Sequence, residues 1–333
     1  MTDFKRTSVL RRLPPLDRCL YRAVPGLEGN VCAFELTEDE PITVEAESGR
    51  PMVIAPGDVF LGAPGHRDST RWLVGGPPSG GLVPDNAYWV LAECGIVGDL
   101  MGDSPVEKSY LGQVKYLGTL RDQHDRDLNI RQFAVGAAAG ATDRAAPTFL
   151  LVGTSAEAGK TTAGIAVLQS LRHQGHGTVV VLKATGVASL RELAIYRDFG
   201  AAEALDFLDF GLPSTCPANR TDIDGLFEHM LDVCLSMPAD AVVMECGSDM
   251  LGANVPVFID CLKRRRAEVK VILAAADPLA ALGGKTVLDR MGLKVDLVTG
   301  PCTDTPTALE RTRALCGVTA LNMARRGTHD ALI

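Results

Sequence analysis

The sequence predicts an α/β fold: a domain with a mainly parallel sheet and helices on both faces, preceded by a smaller β-rich domain. Three observations carry this. Residues 31–133 consist of short apolar runs cut by Pro, Gly, Asp and Asn, the pattern of short strands. From residue 148 onward, near-continuously apolar runs of strand length alternate with segments of helix length, as in strand–helix–strand units around a sheet covered on both faces. Between the two, GAAAGATDRAAP at 136–147 has small residues and a proline but no large apolar side chain to anchor it, which marks a linker. The expected division is a β-rich domain over 1–135, a linker over 136–147 and an α/β domain over 148–333. At 333 residues the chain is also long for one core, because single cores stop growing at about 250 residues.

The elements follow in order. VCAFEL, ITVEAE, MVIAPGDVFLGAPG, TRWLVGG, YWVLAECGIVG and VKYLGTL read as strands of a small β domain, with a barrel as one way to close it. In the second domain 148–154 reads as a strand, 159–175 as a helix and 177–185, containing TVVVLKAT, as a second strand. Residues 222–237 place Leu226, Met230, Leu231 and Cys234 at helical spacing. A strand at 241–245 follows, then helices at 255–265 and 279–291, strands at 270–276 and 294–299, and a closing helix at 305–316. No internal repeat is present.

The bulk properties exclude several function classes. With 46% hydrophobic and 22% charged residues the composition is that of an ordinary globular protein and not of a disordered one. The formal charge of -8 leaves no global basic field for a nucleic-acid backbone. The run Lys263-Arg264-Arg265-Arg266 falls where a helix ends, and cations there complement the helix dipole. Nine cysteines with no C-x-x-C pair and no regular spacing suit reduced, buried thiols. The first residues are basic and Pro-interrupted, and no apolar run reaches the roughly 18 residues of a membrane span. A cytoplasmic protein is therefore expected, with no nucleic acid and no membrane among its partners.

The stretch GTSAEAGKTT, Gly153 to Thr162, lies between the first strand and the first helix of the second domain. A glycine-bounded turn there gathers backbone N–H groups around one point, and the helix N-terminus adds partial positive charge. Polyphosphate is the natural occupant. The phosphate cradle comprises Gly153, Thr154, Ser155, Ala156, Glu157, Ala158, Gly159, Lys160, Thr161 and Thr162. Lys160 reaches the terminal phosphates, and the Thr161 hydroxyl faces Mg²⁺. The usual pattern, G-x-x-x-x-G-K-[ST], has four residues between its glycines; here there are five. Two strand ends add candidates: Lys183 in VVVLKATG and Glu245 in AVVMECGS. A carboxylate beside the loop suits Mg²⁺, which takes one or two carboxylates and keeps most of its waters. Asp249 is a reserve candidate for the same task.

With its extra residue, its Thr154 and its Glu157, the loop resembles the phosphate loop of dethiobiotin synthetase and its relatives among the P-loop NTPases. Ser155 stands where that family has Asp. The resemblance implies that Lys183 matches the lysine of a turn facing substrate and phosphates, although the accompanying Pro is missing. It also implies that Glu245 matches the metal-side Glu, with Cys246 inserted before Gly247. The C-terminal half also resembles the D-glutamate N-acetyltransferase family, on the loop, on Ala184-Thr185-Gly186 and on Glu245-Cys246-Gly247-Ser248. The N-terminal half does not. These likenesses cover residues 148–323, and only the loop is specific.

The expectation is a P-loop, ATP- and Mg²⁺-dependent enzyme that activates a carboxylate, amine or carbamate by phosphoryl transfer, as a dethiobiotin synthetase-like kinase or ligase. Lys160, Lys183 and Glu245 are its catalytic candidates, and Thr161 with Glu245 its metal side. The partners expected are a small-molecule substrate and a second copy of the chain. Two alternatives stay open: an acetyl-CoA-dependent N-acetyltransferase, and a nucleotide-switched binding or chaperone protein. His173 and His176, three apart with Gly175 between them, read as a helix end and not a metal pair. The 210–222 segment, with Arg220, reads as an acceptor loop or a surface connection. His66, Arg67 and Arg71 lie in turn-rich stretches of the first domain, with a closing or dimer-contact role open to them.

Overall fold

The computed structural model describes residues 4–15, 20–105, 110–136, 146–217, 220–266 and 268–325. The predicted linker falls largely outside the described residues, since 137–145 are not among them. The chain divides into two compact units. One takes in Met1–Gly136 with Val187–Arg191 and Phe207–Ala218; the other takes in Ala137–Gly186, Glu192–Asp206 and Asn219–Ile333.

In the first unit the strands form a closed ring. Val59–Pro64 pairs with Cys32–Leu36, then come Gly112–Leu120, Ala87–Ala92 and Ile96–Asp103. Ile96 and Val97 return to pair in parallel with Ala63 and Pro64, so the barrel anticipated from the sequence closes and leaves no open edge between these strands. Alternation drives it: along Gly112–Leu120, Val114 and Tyr116 are buried while Gln113 and Lys115 are not, one face per residue parity. The interior centres on Phe34, whose ring lies 5.8 Å from that of Phe60 and 5.7 Å from that of Tyr116. The Tyr116 hydroxyl donates to the Val24 carbonyl at 2.7 Å, which lets a polar tip sit in an apolar core. The hairpin of Ile42–Glu45 and Pro51–Ile54 packs its buried side chains into the same cluster.

The two segments from later in the chain belong to this unit by contact. Phe207, Leu208, Phe210 and Leu212 are buried, and Arg11 forms an ion pair with Asp209 at 2.7 Å. The buried Glu45 carboxylate accepts from the Ser8 hydroxyl and from the backbone N–H groups of Leu190 and Arg191 at 2.9 Å. Glu45 thus satisfies two backbone amides of this unit from a distant point in the sequence.

The second unit is a seven-stranded, all-parallel sheet. Across the sheet the order is Glu203–Asp206, Val179–Thr185, Ala241–Cys246, Thr148–Gly153, Lys270–Ala274, Leu297–Thr299 and Thr319–Ala320. Every residue of its three strands at 148–153, 179–185 and 241–246 is buried, as a sheet covered on both faces requires. Because the chain leaves strand 148–153 toward one edge and later returns to build toward the other, the handedness of parallel crossovers sends helices to both faces. The helices are Lys160–His173, Leu190–Asp198, Ile223–Ser236, Val255–Arg265, Pro278–Arg290 and Pro306–Cys316. Helix Leu190–Asp198 and strands Glu203–Asp206 and Thr319–Ala320 were not anticipated from the sequence.

Among the described residues the remaining sequence readings fall in these places. Helix Val255–Arg265 ends on Lys263, Arg264 and Arg265, with Arg264 paired to Asp224 at 2.9 Å and to Glu228 at 2.7 Å. Helix Lys160–His173 stops at His173, with Gly175 at φ 92° just beyond. All eight described cysteines are buried free thiols. Among the described residues no helix is long and apolar enough to cross a membrane.

Both tryptophans, Trp72 and Trp89, lie in the first unit, so their fluorescence reports on it selectively. Phe34→Ala, which empties the centre of the barrel, is expected to destabilise this unit by about 3–5 kcal/mol, measured as an earlier tryptophan transition in urea.

Candidate functional site

In doubly wound sheets the usable crevice lies beyond the carboxyl ends of the strands, where the chain reverses its direction across the sheet. Strand Thr148–Gly153 stands at that point, between Ala241–Cys246 and Lys270–Ala274. The loop that leaves it is Gly153 to Thr162. Gly153 closes the strand, and a Cβ there would lie 2.8 Å from Lys160 Cδ, so only glycine lets the lysine stem fold back over the loop. Glu157 at φ 61° and Gly159 at φ 94° are left-handed, the conformations that curl the backbone before the helix starts at Lys160. Thr154, Ser155, Ala156 and Gly159 are half-buried, Ala158 is buried, and Glu157 and Thr162 are exposed.

Lys160 is buried, and its ammonium donates to the Ser155 carbonyl at 2.8 Å. Thr161 donates from its hydroxyl to Glu245 Oε1 at 3.0 Å. The other oxygen, Oε2, accepts from the Tyr196 hydroxyl at 2.5 Å. Lys183 is the register partner of Glu245 on the neighbouring strand, and its ammonium pairs with Glu192. The structure therefore brings Lys160, Thr161, Lys183 and Glu245 into one cluster around the buried Glu245, and adds the half-buried Glu192 and the buried Tyr196. Asp249 is occupied otherwise: its Oδ1 accepts from the amides of Leu251 at 2.9 Å and Gly252 at 3.0 Å. Arg220 pairs with Asp222 at 2.9 Å.

The electrostatics follow from burial. Desolvation lowers the pKa of Lys160; the ammonium of Lys183 lowers it further, and Glu245 opposes both. Desolvation also pushes Lys183 down, but Glu192 and Glu245 outweigh it and leave the pKa raised. Glu245 is raised by burial and by the charge of Glu192, against the pull of Lys183, Tyr196 and Lys160. Tyr196 is raised by burial and by Glu245 beside it, so its hydroxyl stays protonated and donates. Burial pushes the Cys246 thiol up to about 12, which makes it a packing group and not a thiolate nucleophile.

The donor set fits a hard cation. A hydroxyl and a carboxylate oxygen, both from residues rooted in regular structure, are the oxygen ligands that Mg²⁺ takes from protein beside a polyphosphate. The Thr154 hydroxyl within the loop is buried with no hydrogen-bond partner, a polar atom that a bound anion would satisfy. Elsewhere, Asp224, Glu228 and Cys261 gather closely, with the guanidinium of Arg264 bonded to all three and acting as their counter-charge.

Glu192 and Tyr196 are the residues that sequence reasoning missed. They sit one helical turn apart, on the same face of helix Leu190–Asp198, and Leu190, Leu193 and Tyr196 at spacings of three were a legible trace of that helix. Gly164 is the second missed signal. It lies inside helix Lys160–His173, and a Cβ there would lie 2.0 Å from the Tyr196 hydroxyl.

No family model matches the chain, and no curated protein matches it. Solved structures do. One is a DUF1611 family protein from Anabaena variabilis, at TM-score 0.40 and 16% identity, covering 61% of each chain. Another is FtsY from Mycoplasma mycoides, at TM-score 0.38 and 9% identity, over 56% of this chain and 64% of that one. A third is the signal recognition particle 54 kDa protein from Aeropyrum pernix in complex with GDP, at TM-score 0.37 and 14% identity, over 57% of this chain and 44% of that one. The chain thus spans less than two thirds of the length of each of them.

Gly164→Ala tests the geometry. In an ordinary helix interior this change stabilises by about 1 kcal/mol. Here the methyl displaces Tyr196 from Glu245, so a net loss of about 1–3 kcal/mol is expected, read by chemical denaturation, and a net gain would show that Tyr196 is not held there.

Proposed function

We propose that the second unit binds a nucleoside triphosphate with Mg²⁺ and transfers a phosphoryl group to a small molecule, with ATP as the donor and a carboxylate, amine or carbamate as the acceptor. The observation that supports this best is the bond from Thr161 to Glu245. It joins the last part of a glycine-bounded phosphate loop to a strand-end carboxylate 84 residues away, the pair of oxygen donors that a Mg²⁺–polyphosphate complex needs.

Each residue has a task. The backbone N–H groups of the loop and of the first helical turn receive the phosphate oxygens. Lys160, already folded over the loop, releases the Ser155 carbonyl and turns its ammonium to the terminal phosphates. Lys183 adds a second positive charge where negative charge accumulates on the transferring oxygens. Thr161 and Glu245 would hold the metal, with Tyr196 fixing the carboxylate. A Mg²⁺ held there would supply positive charge against the phosphates. Because Lys160, Lys183 and Glu245 are buried, their charges act in a low dielectric.

Lys160→Ala is expected to lower ADP release with saturating ATP and Mg²⁺ by about 100-fold or more; full turnover in this variant would remove the loop from the mechanism. Thr161→Ala is expected to raise the Mg²⁺ concentration needed for half-maximal rate. Thermal shift with ATP and Mg²⁺, ADP and acetyl-CoA side by side separates the reaction classes, since a ligand of the folded state raises its melting temperature. Stabilisation by acetyl-CoA alone would replace phosphoryl transfer with acyl transfer.

A further inference from the structure

Lys183 and Glu192 form an unequal pair. The lysine side chain is 7% exposed and the glutamate side chain 38%, so only one of them has a route to water. Lys183 is hemmed in: a Cβ added at Gly247 would lie 3.3 Å from its Cε, and its strand is buried throughout. A buried ammonium cannot be left without a counter-charge at small cost. Glu245 stays beside Lys183 as a second counter-charge, and the direct contact with Glu192 is given up at least cost to another anion. The phosphate loop lies on the other side of Glu245, whose strand separates that of Lys183 from the strand leading into the loop, and Glu245 touches it through Thr161.

We propose that Glu192 is a carboxylate latch that competes with the bound polyphosphate for Lys183, and so sets the affinity of the site. This rests on the nucleotide reading above and deepens it. With the site empty, Glu192 holds Lys183. With polyphosphate in place, Lys183 turns to a phosphate oxygen and Glu192 moves into solvent. No bond is made or broken; one ion pair replaces another. Glu192 shares its helix with Tyr196, which holds the metal-side carboxylate, so release of the latch is felt by helix Leu190–Asp198 and makes it the part of this unit that reports occupancy.

The test is calorimetric titration of the full chain with ATP, with GTP and with inorganic tripolyphosphate, each with Mg²⁺. Glu192→Gln is expected to tighten binding of all three by about tenfold, tripolyphosphate included, because the competition is for phosphate and not for the base. Glu192→Asp keeps the charge and is expected to stay within about twofold of the parent. A residue that only supports the fold would loosen binding when changed. Binding by Glu192→Gln that is no tighter than the parent's overturns the latch. Should that variant fail to fold, amide exchange in the unaltered protein decides: ATP with Mg²⁺ must speed exchange over Leu190–Asp198, and unchanged or slower exchange overturns the latch. If the unaltered protein binds none of the three ligands, the nucleotide reading falls and the latch with it. If it binds them and Glu192→Gln shows no gain, the latch alone falls.

Discussion

A buried carboxylate at the end of an interior strand organises the second unit. Glu245 is placed by strand Ala241–Cys246 where water does not reach, and an ionised group there persists only if its oxygens are fully engaged. Thr161 and Tyr196 engage them, while Lys160 and Lys183 supply the compensating charge. Each partner comes from a different part of the chain: the start of one helix, the face of another and the end of the adjoining strand. The need to satisfy one charge thus ties together the elements around the carboxyl ends of the sheet.

The surrounding choices of residue follow from that need. Gly164 gives up helix propensity, about 1 kcal/mol relative to alanine, and leaves the gap through which Tyr196 reaches Glu245. Gly153 leaves the gap for the stem of Lys160. The raised pKa of Tyr196 keeps it a donor. Lys183, whose charge is held by Glu192 and Glu245, stays cationic at neutral pH. Cys246, next to Glu245 in sequence, has no part in this exchange, since burial keeps its thiol protonated.

Much of the second unit was legible because its signals are local. Apolar runs such as TFLLV and AVVME announce buried strands, and Gly-Lys-Thr after one of them announces a phosphate loop. Helix Val255–Arg265 came out with its sequence-predicted bounds. Helix Leu190–Asp198 was not anticipated, because it is short and follows the Ala-Thr-Gly turn closely. With it went Glu192 and Tyr196. The segment 210–222 was read as an acceptor loop or a surface connection, yet Phe210 and Leu212 are buried, and residues 207–218 group with the first unit.

By itself the sequence determined what depends on neighbours along the chain: the change from short strands to strand–helix alternation, the glycine-bounded loop, and the residue types Lys160, Thr161, Lys183 and Glu245 at element ends. Tertiary structure decided what depends on neighbours across space. The parallel return of Ile96 and Val97 to Ala63 and Pro64 closes the barrel, and no local spacing encodes that pairing. Glu45 accepts from the amide of Leu190, 145 residues away in the same unit. The partner of Lys183 is Glu192 and the anchor of Glu245 is Tyr196, because strand register and helix packing, not proximity in sequence, bring charges and donors within reach of one another.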